Sequence, residues 1–152
     1  MKIIFAADPF ALSLKKAIVE HLKKLGHEVI DYGATEKKEI PYYESCPIAC
    51  KAFQKGEGER MILLCGSGMG MSMIANRFKG VRAAVVESVF AAQKCRAINN
   101  ANTLCLGAMI WGDWMACEAV DAFLKTSLGE GLEEIAGFLN QAARIVEKIE
   151  DK

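Results

Sequence analysis

Met61-Ile-Leu-Leu-Cys65-Gly-Ser-Gly-Met-Gly-Met-Ser72 decides the fold. Five apolar residues in a row, with no polar alternation, mark a strand buried on both faces, as in a parallel sheet. The run passes straight into a glycine turn, and helical spacing then predicts a helix over 71–78, so the stretch is one strand–loop–helix unit. The same unit repeats on either side. Toward the N-terminus, 2–7 is an apolar run ending at Asp8-Pro9, and Leu12, Leu14, Ala17, Ile18, His21, Leu22 and Leu25 recur at helical spacing until Gly26. A strand over 27–32, a polar loop over 33–41 and a helix over 43–53 follow. Toward the C-terminus, strands over 81–86 and 103–106 alternate with helices over 90–98 and 114–124, and 132–149 reads as a last amphipathic helix. This alternation predicts an α/β chain with a three-layer αβα, Rossmann-like fold around a five-stranded parallel sheet, the strand order left open. The 152 residues suffice for a single domain, 1–152, that buries roughly two thirds of its unfolded surface. The final helix packs either on that domain or on a partner subunit.

Composition narrows the function. Apolar residues make up 52% and charged residues 25%, so the chain has the content of a folded domain and not of a disordered one. Nineteen basic and nineteen acidic residues give zero formal charge, which argues against nucleic acid and against an anionic membrane surface as partners. No apolar run has the roughly 18 residues that a membrane span needs, and the N-terminal run is too short for a secretory leader, so a cytoplasmic protein is expected. The six cysteines (Cys46, Cys50, Cys65, Cys95, Cys105, Cys117) are then expected as reduced thiols. They form no C-x-x-C, and the two histidines, His21 and His27, stand apart from them, so no metal site is expected.

In open parallel sheets, ligands bind beyond the carboxyl ends of the strands. Those ends are Asp8, Cys65 with its glycine loop, Glu87 with Ser88, and Gly107-Ala-Met109. The backbone N–H groups of Gly66, Gly68, Met69, Gly70, Met71 and Ser72, at the start of a helix, form a nest for negative charge. The spacing is G-x-G-x-G with no following Gly-Lys, so it fits neither a dinucleotide loop nor a nucleotide P-loop. A cysteine at the lip of such a nest has its thiolate favoured, which suits a nucleophile or a base for proton transfer. Cys46, Cys50, Cys95, Cys105 and Cys117 lie in no such setting and read as core residues.

The chain resembles the ribose-5-phosphate isomerase B / galactose-6-phosphate isomerase family through Gly112. The resemblance rests on Phe5-Ala-Ala-Asp8, Glu28-Val-Ile-Asp-Tyr-Gly33, Ile40-Pro-Tyr-Tyr43, Leu64-Cys-Gly-Ser-Gly-Met-Gly70 with Ala75-Asn-Arg77, Gly80-Val-Arg-Ala-Ala84, and Asn99-Asn-Ala-Asn102 followed by Gly107. It implies aldose–ketose isomerisation of a sugar phosphate through a cis-enediolate, with no metal or organic cofactor. It also implies active sites between subunits of a homodimer or tetramer, with a second homologous subunit as a variant. Cys65 corresponds to the residue that moves the proton between C1 and C2. Asp8, Ser67, Tyr42 or Tyr43, and Asn99 correspond to residues that handle substrate hydroxyls and shuttle protons, and Arg144 is a candidate phosphate anchor.

The departures from the family are informative. Pro9 follows Asp8, and Ile98 precedes Asn99, at two positions where the family usually has histidine. An aliphatic side chain cannot open a furanose ring by proton transfer. Met109 stands where an arginine is common. These differences point either to a substrate that is already open-chain, such as a tetrose blocked at O4, or to a differently charged sugar acid. Lys15, Arg77, Arg82, Arg96 and Arg144 are the candidate replacement anchors for an anion. Two other classes stay open: a non-catalytic or partner-dependent subunit, and a phosphocysteine domain of the sugar phosphotransferase IIB kind, which the Cys65 loop resembles locally.

Overall fold

A computed structural model describes residues 1–149; positions 150–152 of the expected 1–152 domain lie outside the described residues. The elements run β1 (Lys2–Ala7), α1 (Leu12–Lys24), β2 (Glu28–Asp31), α2 (Tyr42–Gln54), β3 (Arg60–Cys65), α3 (Met69–Ala75), β4 (Ala83–Val85), α4 (Val89–Ala97), β5 (Thr103–Gly107), α5 (Asp113–Lys125) and α6 (Ala136–Ile149). Short 3-10 turns at Pro9–Ala11 and Glu133–Ile135 precede α1 and α6. The five strands are all parallel and lie in the order β2-β1-β3-β5-β4. The α/β three-layer architecture expected from the alternation is the one observed.

Strand side chains alternate between faces, and both faces are covered. Ile62 and Leu64 of β3 join Ile3, Phe5, Leu104 and Leu106 against Ile18 and Leu22 of α1 and Val120 and Phe123 of α5. Met61, Leu63 and Cys65 face the other way, with Ile4, Ala6 and Cys105, against Cys46, Ala49 and Cys50 of α2 and Met71 and Ala75 of α3. Cys46, Cys50 and Cys105 are fully buried there, and all six cysteines are free thiols.

The order of strands fixes the topological switch point. The chain leaves β1 toward β2 on one side, then crosses to β3 on the other, so a crevice opens between the carboxyl ends of β1 and β3. Asp8 and Cys65 are the residues that end those two strands. Their register follows from Ala7 opposite Leu64 and from the Asp8 N–H donating to the Leu64 carbonyl at 3.0 Å.

Several boundaries differ from the sequence expectation for local reasons. The helix expected over 71–78 is α3, which starts earlier because Gly68, at φ +77°, takes the N-cap position. It ends earlier because the Asn76 side chain turns to grip both main-chain groups of Ala83, each at 2.8 Å. The helix expected over 132–149 breaks into the Glu133–Ile135 turn and then α6. Of the apolar stripe on α6, Leu139 is buried, whereas Ile135 before it and Phe138, Ile145, Val146 and Ile149 along it stay exposed. The helix is held to the body by Leu139 and by a 3.6 Å ion pair between Arg82 and Glu147, so most of that stripe is uncovered within the chain. Among the described residues no helix is long and apolar enough to cross a membrane.

Gly107 closes β5 directly under the loop that follows β3. A Cβ at this position would lie 2.6–2.7 Å from the Cα, carbonyl carbon and carbonyl oxygen of Ser67. These are backbone atoms that cannot rotate away, so Gly107→Ala is expected to destabilise the chain by about 1–3 kcal/mol or more, read as a lower urea midpoint. An unchanged midpoint would show that the loop is free to shift.

Candidate active site

The crevice at the switch point is a pocket of about 300 Å³ lined by Asp8, Phe10, Tyr42, Cys65, Gly66, Ser67, Gly70 and Met109. Cys65 forms its floor at 5% exposure, and Phe10 and Met109 stand at its mouth at 80% and 79%.

The loop is shaped by what glycine leaves out. Gly68 adopts φ +77°, a left-handed conformation that side chains disfavour. Its N–H then points back and donates to Cys65 Sγ at 3.1 Å. Gly70 has no room for a side chain, since a Cβ would lie 2.6 Å from Cε2 of the Tyr42 ring. Tyr42 is thereby drawn against the loop from the start of α2, with Tyr43 edge-on behind it at 5.5 Å between ring centroids. The Met69 N–H is taken by Ser67 Oγ at 3.3 Å. The N–H groups of Gly70 and Met71 lie in the first turn of α3, where a helix offers no acceptor of its own. Because α3 has only seven residues, these nearby amides and not a long helix supply the positive field.

Asp8 sits on the opposite wall. It caps the Pro9–Ala11 turn, its Oδ1 accepting the Phe10 N–H at 3.0 Å, and Pro9 fills the first position of that turn. Burial pushes the Asp8 carboxyl above the ordinary carboxylate range, while the amides of Phe10 and Ala11 pull it down. Cys46 is pushed up by its hydrogen bond to Cys50 and by burial, Cys105 by burial, and Cys95 by burial to about 11. They stay protonated.

The pocket thus brings together Asp8, Tyr42, Cys65, Gly66, Ser67 and Gly70 from the residues singled out in the sequence. Gly68 and Met69 complete the loop behind it. Met71 is fully buried in the core, and Ser72 turns its hydroxyl toward the Ala83 carbonyl at 3.5 Å and donates its N–H to the Gly68 carbonyl at 3.1 Å, so the Ser72 amide expected in the nest is taken by the helix. Asn99 and Arg144 do not reach the pocket within this chain. Asn99 lines a separate groove of about 400 Å³ between α4 and α6, and Arg144 is exposed on α6.

Of the remaining candidate anchors, Arg77 is exposed just past α3 and does not line the pocket, and Lys15, Arg82 and Arg96 have other occupations. Lys15 is buried against Asp31 and the Ala34 carbonyl. Arg82 pairs with Glu147 and donates to the Asn100 carbonyl. Arg96 is buried, held by Asn100, Ala101 and Thr126, and burial lowers its guanidinium to about 10. His21 is bonded to Asp121 across α1 and α5, and His27 stands beside the N-terminus, so neither histidine of the chain lines the pocket. Of the lining residues, Phe10 has no assignment from sequence, and Met109 is marked there as part of the last strand end and as a departure from a common arginine, without a role in the site. Their signal was position: each lies two residues beyond a strand-end residue, Asp8 or Gly107.

Comparison with known proteins follows the same lines. The family described as Ribose/Galactose Isomerase matches residues 3–137. The 4-deoxy-4-sulfo-D-erythrose isomerase of a Clostridium species is 42% identical over 153 residues, which covers 99% of this chain and 96% of the relative. The D-erythrulose-4-phosphate isomerase of Pectobacterium atrosepticum is 36% identical over 132 residues, 86% of this chain and 87% of the relative. The solved structure of Clostridium thermocellum ribose-5-phosphate isomerase B superposes with a TM-score of 0.84 at 35% identity, covering 98% of this chain and 99% of that one. A match that runs from β1 into the start of α6 carries the conclusion that this chain belongs to the ribose/galactose isomerase family and is an aldose–ketose isomerase.

Proposed function

We propose that the chain interconverts an open-chain four-carbon aldose and its ketose, the fourth carbon bearing an anionic group, with Cys65 as the proton carrier. The observation that carries this reading is a pocket with a thiol at its floor, loop amides beside it and no histidine in its wall. A pentose phosphate enters as a furanose and needs an acid to open it. A tetrose substituted at C4 has no hydroxyl left with which to form a five-membered ring, so it needs none. The two relatives that act on such compounds, by their names, support the same reading.

In this mechanism the Cys65 thiolate takes the proton from C2 of the aldose. The electron pair moves into the C1–C2 bond, and charge develops on O1, where the loop amides stabilise it. The thiol then returns the proton to C1. Asp8 and Ser67, on either side of the floor, carry the hydroxyl proton between O2 and O1, and Tyr42 orients the chain. No Lys or Arg lines the pocket among the described residues. A sulfonate, with one negative charge, is easier to hold there than a phosphate with nearly two, so the 4-sulfo sugar is the preferred substrate and the 4-phospho sugar the second.

The functional unit in this reading is a homodimer. Support comes from the uncovered stripe of α6 and from the placement of Asn99 and Arg144 away from the chain's own pocket, available to a neighbour. Replacing Phe138 and Ile145 together by Asp is expected to give a monomer by light scattering and to abolish turnover; a dimer that persists would remove α6 from the interface.

Two further outcomes test the chemistry. Cys65→Ala is expected to lower solvent-deuterium exchange into 4-deoxy-4-sulfo-erythrulose by about 10²–10⁴-fold, measured by NMR, with the fold intact by circular dichroism. Wild-type exchange rates in that variant would move the base elsewhere. For Asp8, a carboxyl raised in the folded state contributes stability that is fully present below the ordinary carboxylate range and lost as pH rises through the raised value. Asp8→Asn keeps a cap acceptor for Phe10 and removes the buried charge. It is expected to melt higher than wild type at neutral pH, to lose that advantage in acid, and to lose turnover.

A further inference from the structure

We propose that Phe10 and Met109 form an apolar wall that sets the length of substrate this isomerase accepts, by leaving a hydroxyl on the fourth carbon without a partner. The inference rests on the function proposed above and adds the residues that select the chain length. Burial orders the pocket by depth: Cys65 and the loop amides at the floor, Tyr42 half-buried between, and Phe10 and Met109 at the mouth. Enediolate chemistry pins C1 and C2 to the floor. The rest of the sugar must therefore run outward, past the phenyl ring of Phe10 and the thioether of Met109.

Met109 is fixed in that position. Its N–H donates to the Gly66 carbonyl at 2.9 Å, and its Sδ would lie 3.2 Å from a Cβ placed on Gly66. Phe10 is fixed from the other side, its N–H donating to Asp8 Oδ1. What passes between them differs with chain length. In a four-carbon substrate the fourth carbon is a methylene carrying the anion, and a methylene suits an apolar wall. In a five-carbon substrate the fourth carbon bears a hydroxyl. A phenyl ring and a weakly accepting thioether offer it no good hydrogen bond, so at this open mouth the hydroxyl loses the part of its hydration that the two side chains displace and gains no protein partner in return. Apolar pockets reject an added hydroxyl only moderately, so the expected discrimination is about 10- to 100-fold.

The test uses erythrulose 4-phosphate and ribulose 5-phosphate. They differ by one hydroxymethylene, carry the same terminal group, and are both barred from closing a furanose because the required hydroxyl is phosphorylated. Ring opening and terminal charge therefore cancel from the comparison. Wild type is expected to favour erythrulose 4-phosphate in kcat/KM by about 10- to 100-fold. Met109→Gln, similar in length but able to donate and accept, is expected to move that ratio toward ribulose 5-phosphate by about 10-fold, whereas Met109→Leu leaves the ratio as in wild type. Equal use of both substrates by wild type, or a ratio that Gln shifts by less than twofold, overturns the wall. Absence of turnover with every four-carbon substrate would overturn the function itself.

Discussion

The loop after β3 lies flat on the end of β5, and the site depends on that contact. Ser67 occupies the volume where any side chain at position 107 would be, so the loop can settle only over glycine. Once settled, it has one way to continue: Gly68 turns left-handed, sends its N–H back to Cys65 Sγ, and starts α3. Tyr42 then packs where Gly70 lacks a Cβ. Three missing side chains thus convert a strand end into a pocket floor with its sulfur hydrogen-bonded and its amides aimed outward. The same contact links β3 to β5, and the β1–β3 register adds Asp8 from the other side.

Much of this was legible in the sequence because the relevant signals are local. A continuous apolar run such as 61–65 has few ways to be buried other than as a central parallel strand, and a glycine loop at its end marks the ligand-binding edge. Helix ends were less legible. The end of α3 is set by Asn76 reaching across to Ala83, a contact between residues whose proximity exists only after β4 has joined the sheet. The strand order, which makes Asp8 and Cys65 neighbours, is likewise long-range. Phe10 and Met109 were hard to see for another reason: apolar residues in loops are usually unremarked surface, and only the walls of a formed pocket give them meaning. The apolar pattern of 132–149 was read correctly as amphipathic, yet periodicity says that a face needs covering and never by what.

The disposition of cations connects the fold to the substrate. Arg60, Arg82 and Arg96 lie at the amino-terminal end of the sheet, before or beneath β3, β4 and β5; burial lowers the guanidinium of Arg60 and of Arg96, and the neighbouring arginines add to it. Among the described residues Arg96 has no carboxylate partner. It is satisfied instead by carbonyls of Ala101 and Thr126, by the Asn100 side chain, and by the Phe123 ring at 5.9 Å. Asn100, gripped through its side chain by Arg96 and through its carbonyl by Arg82, is held at φ 52°, in a turn that few residues other than glycine and asparagine adopt readily. These arginines thus serve the turn that carries Asn99.

The carboxyl end of the sheet is correspondingly poor in positive charge. Its pocket has a buried carboxylate, a thiol, backbone amides and two apolar residues, and an anion must be held there without a guanidinium from the same chain. That arrangement makes sense for proton transfer. In the proposed reaction, amides respond to charge that appears on the substrate oxygen without neutralising the Asp8 carboxyl proposed to shuttle its proton. The chain therefore keeps Arg60, Arg82 and Arg96 for architecture at the amino-terminal end of the sheet, while at the other end Lys15 is paired with Asp31 and no Lys or Arg among the described residues lines the pocket in which Cys65 is proposed to carry the proton.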